Sequence, residues 1–360
     1  MVSKFKMHDI AEKTGYSVST VSRVLSGAAY TSHKARNAII DCARDLGILD
    51  TLGGGRFLIK GIVIFAPARS FSASGDAYYH EVTKGIVEAV EDHNVYLTYC
   101  GLEENHSDIK VFLERVNNKN INAAIIIGVD DPAIHRLAST INKPCVLINS
   151  QDKQMQLDAV SPDHHATGYS SLHHLFEEGH RRILTITTMR RKTFYKRLEG
   201  IKEAYRTYHV DFDPTYNLLV TEGLSEKEAE QAFDRWLKVN PRELWPEAIF
   251  CQGKRMVVGV KRVLSRYGLR IPENISLMAT NYALQEEAEA GEMPVTSLTI
   301  PCRELGIEAV HLLQTRFSRP EAPVFNLLLK GKLETHGTVA RSTKNTALAD
   351  VNHFDDEFLP

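Results

Sequence analysis

Over the first fifty positions apolar residues recur at the three- and four-residue spacing of helices, in three short blocks. In the first, residues 7–14, Ile10 and Ala11 face inward, and Gly15 behind them suits a left-handed helix end. Ser17 is a good N-cap for the second block, Val18–Leu25, where Val21, Val24 and Leu25 share one side. The opposite side presents Val18, Ser19, Ser22 and Arg23, short or basic side chains suited to close approach to DNA. Arginine can grip O6 and N7 of guanine, serine can donate or accept, and valine can touch a thymine methyl. Ser26-Gly27 closes this block. Thr31-Ser32 caps a third, in which Ala35, Ile39, Cys42 and Leu46 form one stripe; Lys34 and Arg36 lie off it, near the helix start, where phosphates are met. The pattern predicts a helix-turn-helix with a third helix behind it. On pattern alone, a helical hairpin with a solvated basic face is the alternative.

From Lys60 the pattern changes. Residues 61–66 are one continuous apolar run, as in a parallel strand buried on both faces. A helix over 79–93 follows, with Val82, Ile86 and Ala89 on one side. Further strands are predicted at 95–99, 123–127, 145–148, 183–187, 248–251 and 275–279, most of them separated by helical stretches. This alternation predicts βαβ units and parallel sheets covered on both faces, and the strand number fits two sheets better than one.

Composition narrows the classes. At 360 residues the chain exceeds one ordinary domain, and 43% hydrophobic with 24% charged residues is a globular composition. No apolar run approaches membrane-spanning length and no signal-peptide core opens the chain, so a cytoplasmic location without membrane contact is expected. Cys42, Cys100, Cys145, Cys251 and Cys302 are scattered with no CxxC pair, which favours reduced thiols over disulfides or zinc. The net charge of −2 is unevenly spread: residues 1–60 hold nine Lys/Arg against five Asp/Glu, and the remainder 34 against 40. A basic arm on an acidic body suits a chain whose first domain alone touches phosphates.

Asp9-Ile10-Ala11, the run from Gly15 to Leu25, and Ser32 with Ala35-Arg36 strongly resemble the DNA-binding headpiece of the lac repressor/galactose repressor family. Glu178-Gly179-His180-Arg181-Arg182-Ile183 is similar to that family's entry to a core strand. Gly268 to Ser276 is similar to its "gly-leu-arg-val-pro-glu-asp-ile-ser" segment. The resemblance implies a small all-α helix-turn-helix headpiece (1–47) and a hinge (48–59). Beyond them it implies an α/β, two-lobed, periplasmic-binding-protein-like body of doubly wound parallel sheets (60–342), then an acidic tail (343–360). Crossovers between lobes are expected near Pro162, residue 292 and residue 322, giving lobe 1 as 60–161 with 293–322 and lobe 2 as 162–292 with 323–342. The candidate DNA contacts are Ser17, Val18, Ser19, Thr20, Ser22, Arg23, Ser32, Lys34 and Arg36. The implied partners are a palindromic operator in double-stranded DNA, a second copy of the chain to read its other half-site, and a small-molecule effector between the lobes. The tail has too few heptads for a tetramer-forming bundle, so a homodimer is expected.

The expected effector pocket departs from the family. Asn149 ends the strand at 145–148 where the family has an aspartate, and Asn281 stands for the first aspartate of "gly-phe-asp-asp". Gly253-Lys254 replace "asn-asp", while Arg197 keeps the family's arginine before Leu198-Glu199-Gly200. Arg190, Arg191 and Lys192 fill a loop that usually carries small polar residues. Fewer acids and more bases favour an anionic ligand, a sugar phosphate or sugar acid; a merely solvated basic loop is the competing reading. The hinge departs too. The family's segment folds into a short helix whose leucine wedges into the minor groove. Here the segment lacks the proline and asparagine and carries Gly53-Gly54-Gly55, with Leu52 and Phe57 left as wedge candidates. Glycine costs about 1 kcal/mol per site in a helix, so a flexible linker is expected, with specificity resting on the headpiece.

Catalysis finds no support. There is no Gly-x-Ser-x-Gly elbow, no P-loop and no Gly-x-Gly-x-x-Gly after a strand, and no cofactor is implied. His164, His165, His173, His174 and His180 do not match metal-ligand spacing and read as surface or helix-face residues. The leading expectation is a transcription regulator, read as a repressor of carbohydrate-related genes under small-molecule control. The alternative is a cytoplasmic sugar-sensing protein whose basic N-terminus touches DNA non-specifically.

Overall fold

The computed structural model describes residues 4–26, 31–48, 58–71, 77–104, 106–281 and 294–342. The expected hinge glycines, Leu52, Phe57, the crossover near 292 and the acidic tail lie outside the described residues. The chain divides into two compact units: residues 1–161 with 302–328, and residues 162–301 with 329–360.

Unit 1 begins with three helices, α1 (Lys4–Thr14), α2 (Val18–Leu25) and α3 (His33–Asp45). Gly15 ends α1 at φ 73°, where a side chain would be strained, and its N–H reaches Ala11 O at 2.9 Å. Ser17 caps α2 by accepting from Thr20 N at 3.2 Å, and Ser32 caps α3 by accepting from Ala35 N at 3.3 Å. Ile10, Val21, Val24, Leu25 and Ile39 close a small core. Each contributes roughly 1.5–3 kcal/mol by leaving water. The stripe on α3 is broader than its spacing suggested. Ala35, Ile39, Ile40 and Ala43 are buried, whereas Cys42 and Leu46 are half-buried. The reason is that Ile48, Leu58 and Phe317 join the same cluster and draw Ile40 and Ala43 inward.

The order continues β1 (Gly61–Pro67), α4 (Ala77–Val90), β2 (Tyr96–Leu102), α5 (Ile109–Val116), β3 (Ala123–Ile127), α6 (Pro132–Thr140), β4 (Cys145–Ile148), β5 (Asp158–Pro162). Then come α7 (His164–Glu177), β6 (Ile183–Thr188), α8 (Lys192–Thr207), β7 (Leu218–Thr221), α9 (Glu226–Val239), β8 (Ala248–Cys251), α10 (Lys254–Arg266), β9 (Ser276–Thr280) and β10 (Thr296–Thr299). Last are α11 (Cys302–Ser318), β11 (Asn326–Leu329) and β12 (Lys332–Glu334).

In unit 1 the sheet order is β11-β5-β4-β3-β1-β2, and β1 to β5 pair in parallel. β1 and β3 are buried throughout, as continuous apolar runs require. Arg316, near the end of α11, grips Asp158 with two hydrogen bonds of 2.8 Å and also donates to the carbonyls of Pro320, Ala322 and Pro323. This pair fixes the turn from α11 toward β11.

Unit 2 repeats the plan with order β12-β10-β9-β8-β6-β7, parallel except for β12 against β10. Leu184, Ile186, Ile249, Cys251 and Leu277 pack on one side of it with Phe233 and Val260, and Ile183, Phe250 and Met278 on the other with Phe176 and Tyr205. Gly168 and Gly200 let α7 and α8 touch backbone to backbone. A Cβ at Gly168 would stand 2.0 Å from Arg197 O, and one at Gly200 2.0 Å from His165 O. The chain passes between units at 161/162, 301/302 and 328/329. The second and third passages fall later than residues 292 and 322, because β10 extends the second sheet and β11 is an edge strand of the first.

Candidate functional site

In α2 the two faces separate as the spacing predicted. Val21, Val24 and Leu25 are buried, while Ser19, Ser22 and Arg23 are exposed, with Val18 and Thr20 half-buried beside them. Ser17 Oγ stands 2.9 Å from both Ser19 Oγ and Thr20 Oγ1, so three hydroxyls gather at the positive end of α2. A helix N-terminus with free donors suits a phosphate. Ser32 and Lys34 are exposed at the start of α3. Arg36 is placed differently: it is half-buried and its guanidinium donates to the Leu58 carbonyl. Arg44, further along α3, donates to Phe317 O at 3.2 Å and lies 5.4 Å from that ring's centre. A cleft of about 620 Å³ runs beside this contact, lined by Arg36, Lys119, Lys143, Asp158 and Arg316. It borders the N-terminal ends of β3, β4 and β5, away from the strand ends where open α/β sheets hold ligands.

At the C-terminal ends of unit 1's strands, Asn149 is 8% exposed and adopts φ 52°. Ser150, Asp130 and His135 lie together there, with Ser150 Oγ 2.8 Å from Asp130 Oδ1 and 3.4 Å from His135 Nε2. The trio is not a nucleophilic triad. His135 Nε2 lies 2.9 Å from Val129 O, where it must donate, so it has no lone pair to take a serine proton.

Unit 2 gathers the stronger group. β6 and β8 are neighbours from which the chain leaves toward β7 on one side and β9 on the other, the switch point where ligands sit. Arg191 follows β6, and Gln252 follows β8 with its N–H on Ile186 O at 3.0 Å. The close crossing of α7 and α8 sets Arg197 beside His164. One guanidinium nitrogen of Arg197 lies 3.1 Å from His164 Nδ1, another donates to Gln252 Oε1 at 3.4 Å, and the Phe194 ring lies 5.4 Å away. Arg191, Arg197, His164 and Gln252 are 7, 5, 6 and 3% exposed. Arginine only donates, so Nδ1 accepts and the imidazole is neutral. Burial holds His164 well below the usual histidine range, and Arg197, Arg191 and Lys196 push it further the same way.

The expected pocket residues therefore divide. Arg191 and Arg197 join one buried group. Arg190 and Lys192 are exposed, so the basic loop is solvated at two of its three positions. Gly253 caps α10 and Lys254 opens it, both half-buried. Asn281, at φ 55°, accepts from Ile300 N at 2.8 Å and thereby fastens the end of β9 to the residue after β10. Gln252 and His164 were not among the expected effector residues. The signal for Gln252 was its place directly after the apolar run at 248–251. His164 and His180 correct the surface reading of the histidines: both are buried, and His180 Nε2 is 2.9 Å from Ala340 O. Among the described residues no group of His, Cys, Asp and Glu could hold a metal ion.

Comparison with known proteins agrees with this layout. Residues 6–47 match the family described as bacterial regulatory proteins, lacI family, and residues 172–339 match the periplasmic binding protein-like domain. The chain is 26% identical over 313 residues to the HTH-type transcriptional repressor CytR of Escherichia coli (strain K12), covering 85% of this chain and 88% of CytR. It is also 26% identical over 351 residues to the maltose regulon regulatory protein MalI of the same strain, covering 92% and 97%. Among solved structures it is similar to the lac repressor dimer bound to operator and the anti-inducer ONPF, with a TM-score of 0.66 at 18% identity, covering 93% and 98%.

Proposed function

Because the chain belongs to the lacI family of bacterial regulatory proteins, we propose that it represses carbohydrate-related genes from a palindromic operator, under control of a small sugar-type effector. The observation that carries this reading is α2. Its apolar face is sealed into a three-helix core while Ser19, Ser22 and Arg23 stand clear on the other side, as a helix entering the major groove requires. The named relatives CytR, a transcriptional repressor, and MalI, a maltose regulon regulator, support the direction of control and the ligand class. The buried polar group at the switch point of unit 2 is the effector-binding set. The protein is a regulator and not an enzyme.

One headpiece makes too few contacts for a tight grip, so two copies read two half-sites. Unit 1 offers a surface for this. On the edge strand β2, Tyr96 and Tyr99 are 60 and 42% exposed, and Phe71, 47% exposed, meets Tyr99 edge-on at 6.3 Å between ring centres. Exposed aromatic patches of this kind mark association surfaces. The proposed location is the cytoplasm, where the DNA is; no helix among the described residues is long and apolar enough to cross a membrane.

The test is to capture genomic fragments with purified protein at physiological salt and footprint them. A short palindrome beside carbohydrate genes is expected. Fragments no more enriched than random DNA would sink specific regulation in favour of a sugar sensor with non-specific DNA contact.

A further inference from the structure

The cleft beside α3 lies wholly within unit 1, apart from the polar group of unit 2. Its charges do not balance. Two acids line it, and each is already matched. Asp158 is gripped by Arg316 through two hydrogen bonds of 2.8 Å and accepts a third from Phe325 N at 2.8 Å. Asp41 pairs with Arg44 at 2.9 Å. The other cations here have no acidic partner among the described residues. Arg36, on α3, gives its guanidinium to the Leu58 carbonyl. Lys143 donates to the carbonyls of Val116 and Asn118 at 2.6 and 3.3 Å. Lys119 lines the cleft as an exposed side chain. Lys60 is half-buried, and its backbone N–H is held at 3.1 Å by Asn122 of the cleft wall. Burial lowers the Lys60 ammonium below the usual lysine range, and the charge of Arg36 lowers it further.

Like charges gathered in a concavity focus a positive potential there and draw in anions. A freely solvated basic patch would leave its cations at their ordinary values, whereas burial depresses Arg36, Lys60 and Lys143 alike. The walls are not polar throughout, since Ile40, Ile121 and Phe317 also line the space. At about 620 Å³ it has the size of a metabolite site and not of a bare ion's. A carboxylate brings one negative charge; a phosphate monoester brings about 1.5 to 2, with three acceptor oxygens for converging donors. We propose that this cleft is a second ligand site, for an organic phosphate ester, held by Arg36 from the headpiece and by Lys60 and Lys119 from the body of unit 1. Because Arg36 stands on α3 and the lysines do not, the bound ester clasps the headpiece to that body. The site is independent of the effector-binding set in unit 2.

The experiment is calorimetric titration of the full chain at fixed ionic strength. The probes are inorganic phosphate, sugar monophosphates and bisphosphates, nucleoside monophosphates, and the dephosphorylated parent of each. At least one ester should bind saturably, tenfold or more tighter than both its parent and inorganic phosphate. Lys119→Glu reverses a charge at an exposed position, and Arg36→Gln removes one while keeping a donor toward the Leu58 carbonyl. Each should weaken the ester at least fivefold, with melting temperatures checking that both variants fold. Arg23→Ala, on the outer side of α2, should bind the ester as the unsubstituted chain does. No ester tighter than its parent, inorganic phosphate as tight as every ester, or undiminished binding by folded Lys119→Glu would each overturn the proposal. So would a loss in Arg23→Ala without one in Lys119→Glu, which would put the anion on the DNA-binding side. The genomic footprint is read separately, so loss of the regulator reading and loss of this site give different results.

Discussion

At the scale of single residues, the molecule rests on a few side chains with one job each. Arg23 is exposed on the side of α2 opposite Val21, Val24 and Leu25 and has no part in the headpiece core. Arg23→Ala is therefore expected to leave the melting temperature unchanged and to cost about 1–3 kcal/mol in operator binding, with relaxed discrimination at one base position. Competition between operator and random DNA reads this; unchanged discrimination would show that Arg23 meets only the backbone. His164 and His180 do the opposite job, holding the fold together while uncharged. Burial is the largest cause of depression for both. The unfolded chain takes up protons at these imidazoles below about 6.5 and the folded chain resists, so the unfolded state binds more protons in that window. Stability should fall as pH drops below 6.5 and be insensitive to these groups above it. Denaturant melts at pH 7.5 and 5.5 measure the loss, and His180→Asn should reduce it while the share of His164 remains.

At the scale of elements, close approach decides what the site looks like. Arg197 meets His164 because α7 and α8 cross at Gly168 and Gly200. Gly200→Ala forces a methyl to within 2.0 Å of a carbonyl oxygen, so the helices must part. A loss of roughly 1–3 kcal/mol is expected, with effector affinity falling more than stability accounts for. Thermal melts and ligand titration of the same variant separate the two effects. Elements with strong patterns were legible in the chain. The apolar runs at β1, β3, β4 and β8 and the capped helix α2 announce themselves locally, because burial on both faces or a single N-cap leaves a local trace. β5 was illegible: Asp158, Ser161 and Pro162 occupy three of its five positions, and Asp158 is buried only because Arg316, far away in sequence, meets it. β7, β11 and β12 are short, partly exposed edge strands, which carry no alternation long enough to read. In the site, Arg197 was legible from its neighbours Leu198, Glu199 and Gly200. Gln252 was not, since its role depends on which strand lies beside β8.

At the scale of the whole molecule, two-fold assembly should control DNA affinity. Tyr96→Glu with Tyr99→Glu places charge on the exposed edge of unit 1, where it opposes burial against a second copy. Sedimentation should show a monomer, and operator affinity should fall at least a hundredfold while the fold persists. A dimer of unchanged strength would move the interface elsewhere. The passages between units at 161/162, 301/302 and 328/329 have a consequence for how the protein is made. α4 buries Tyr79, Val82 and Ile86, and its partner α11 touches it where Gly85 meets Arg303 and Gly306 meets Val82. During synthesis α4 leaves the ribosome some two hundred residues before α11, roughly 10–40 s at ordinary elongation rates. Throughout that interval the nascent chain displays an apolar helix face with no mate, a surface for chaperones to shield. A messenger cut short before residue 302 would yield a chain that can never cover it.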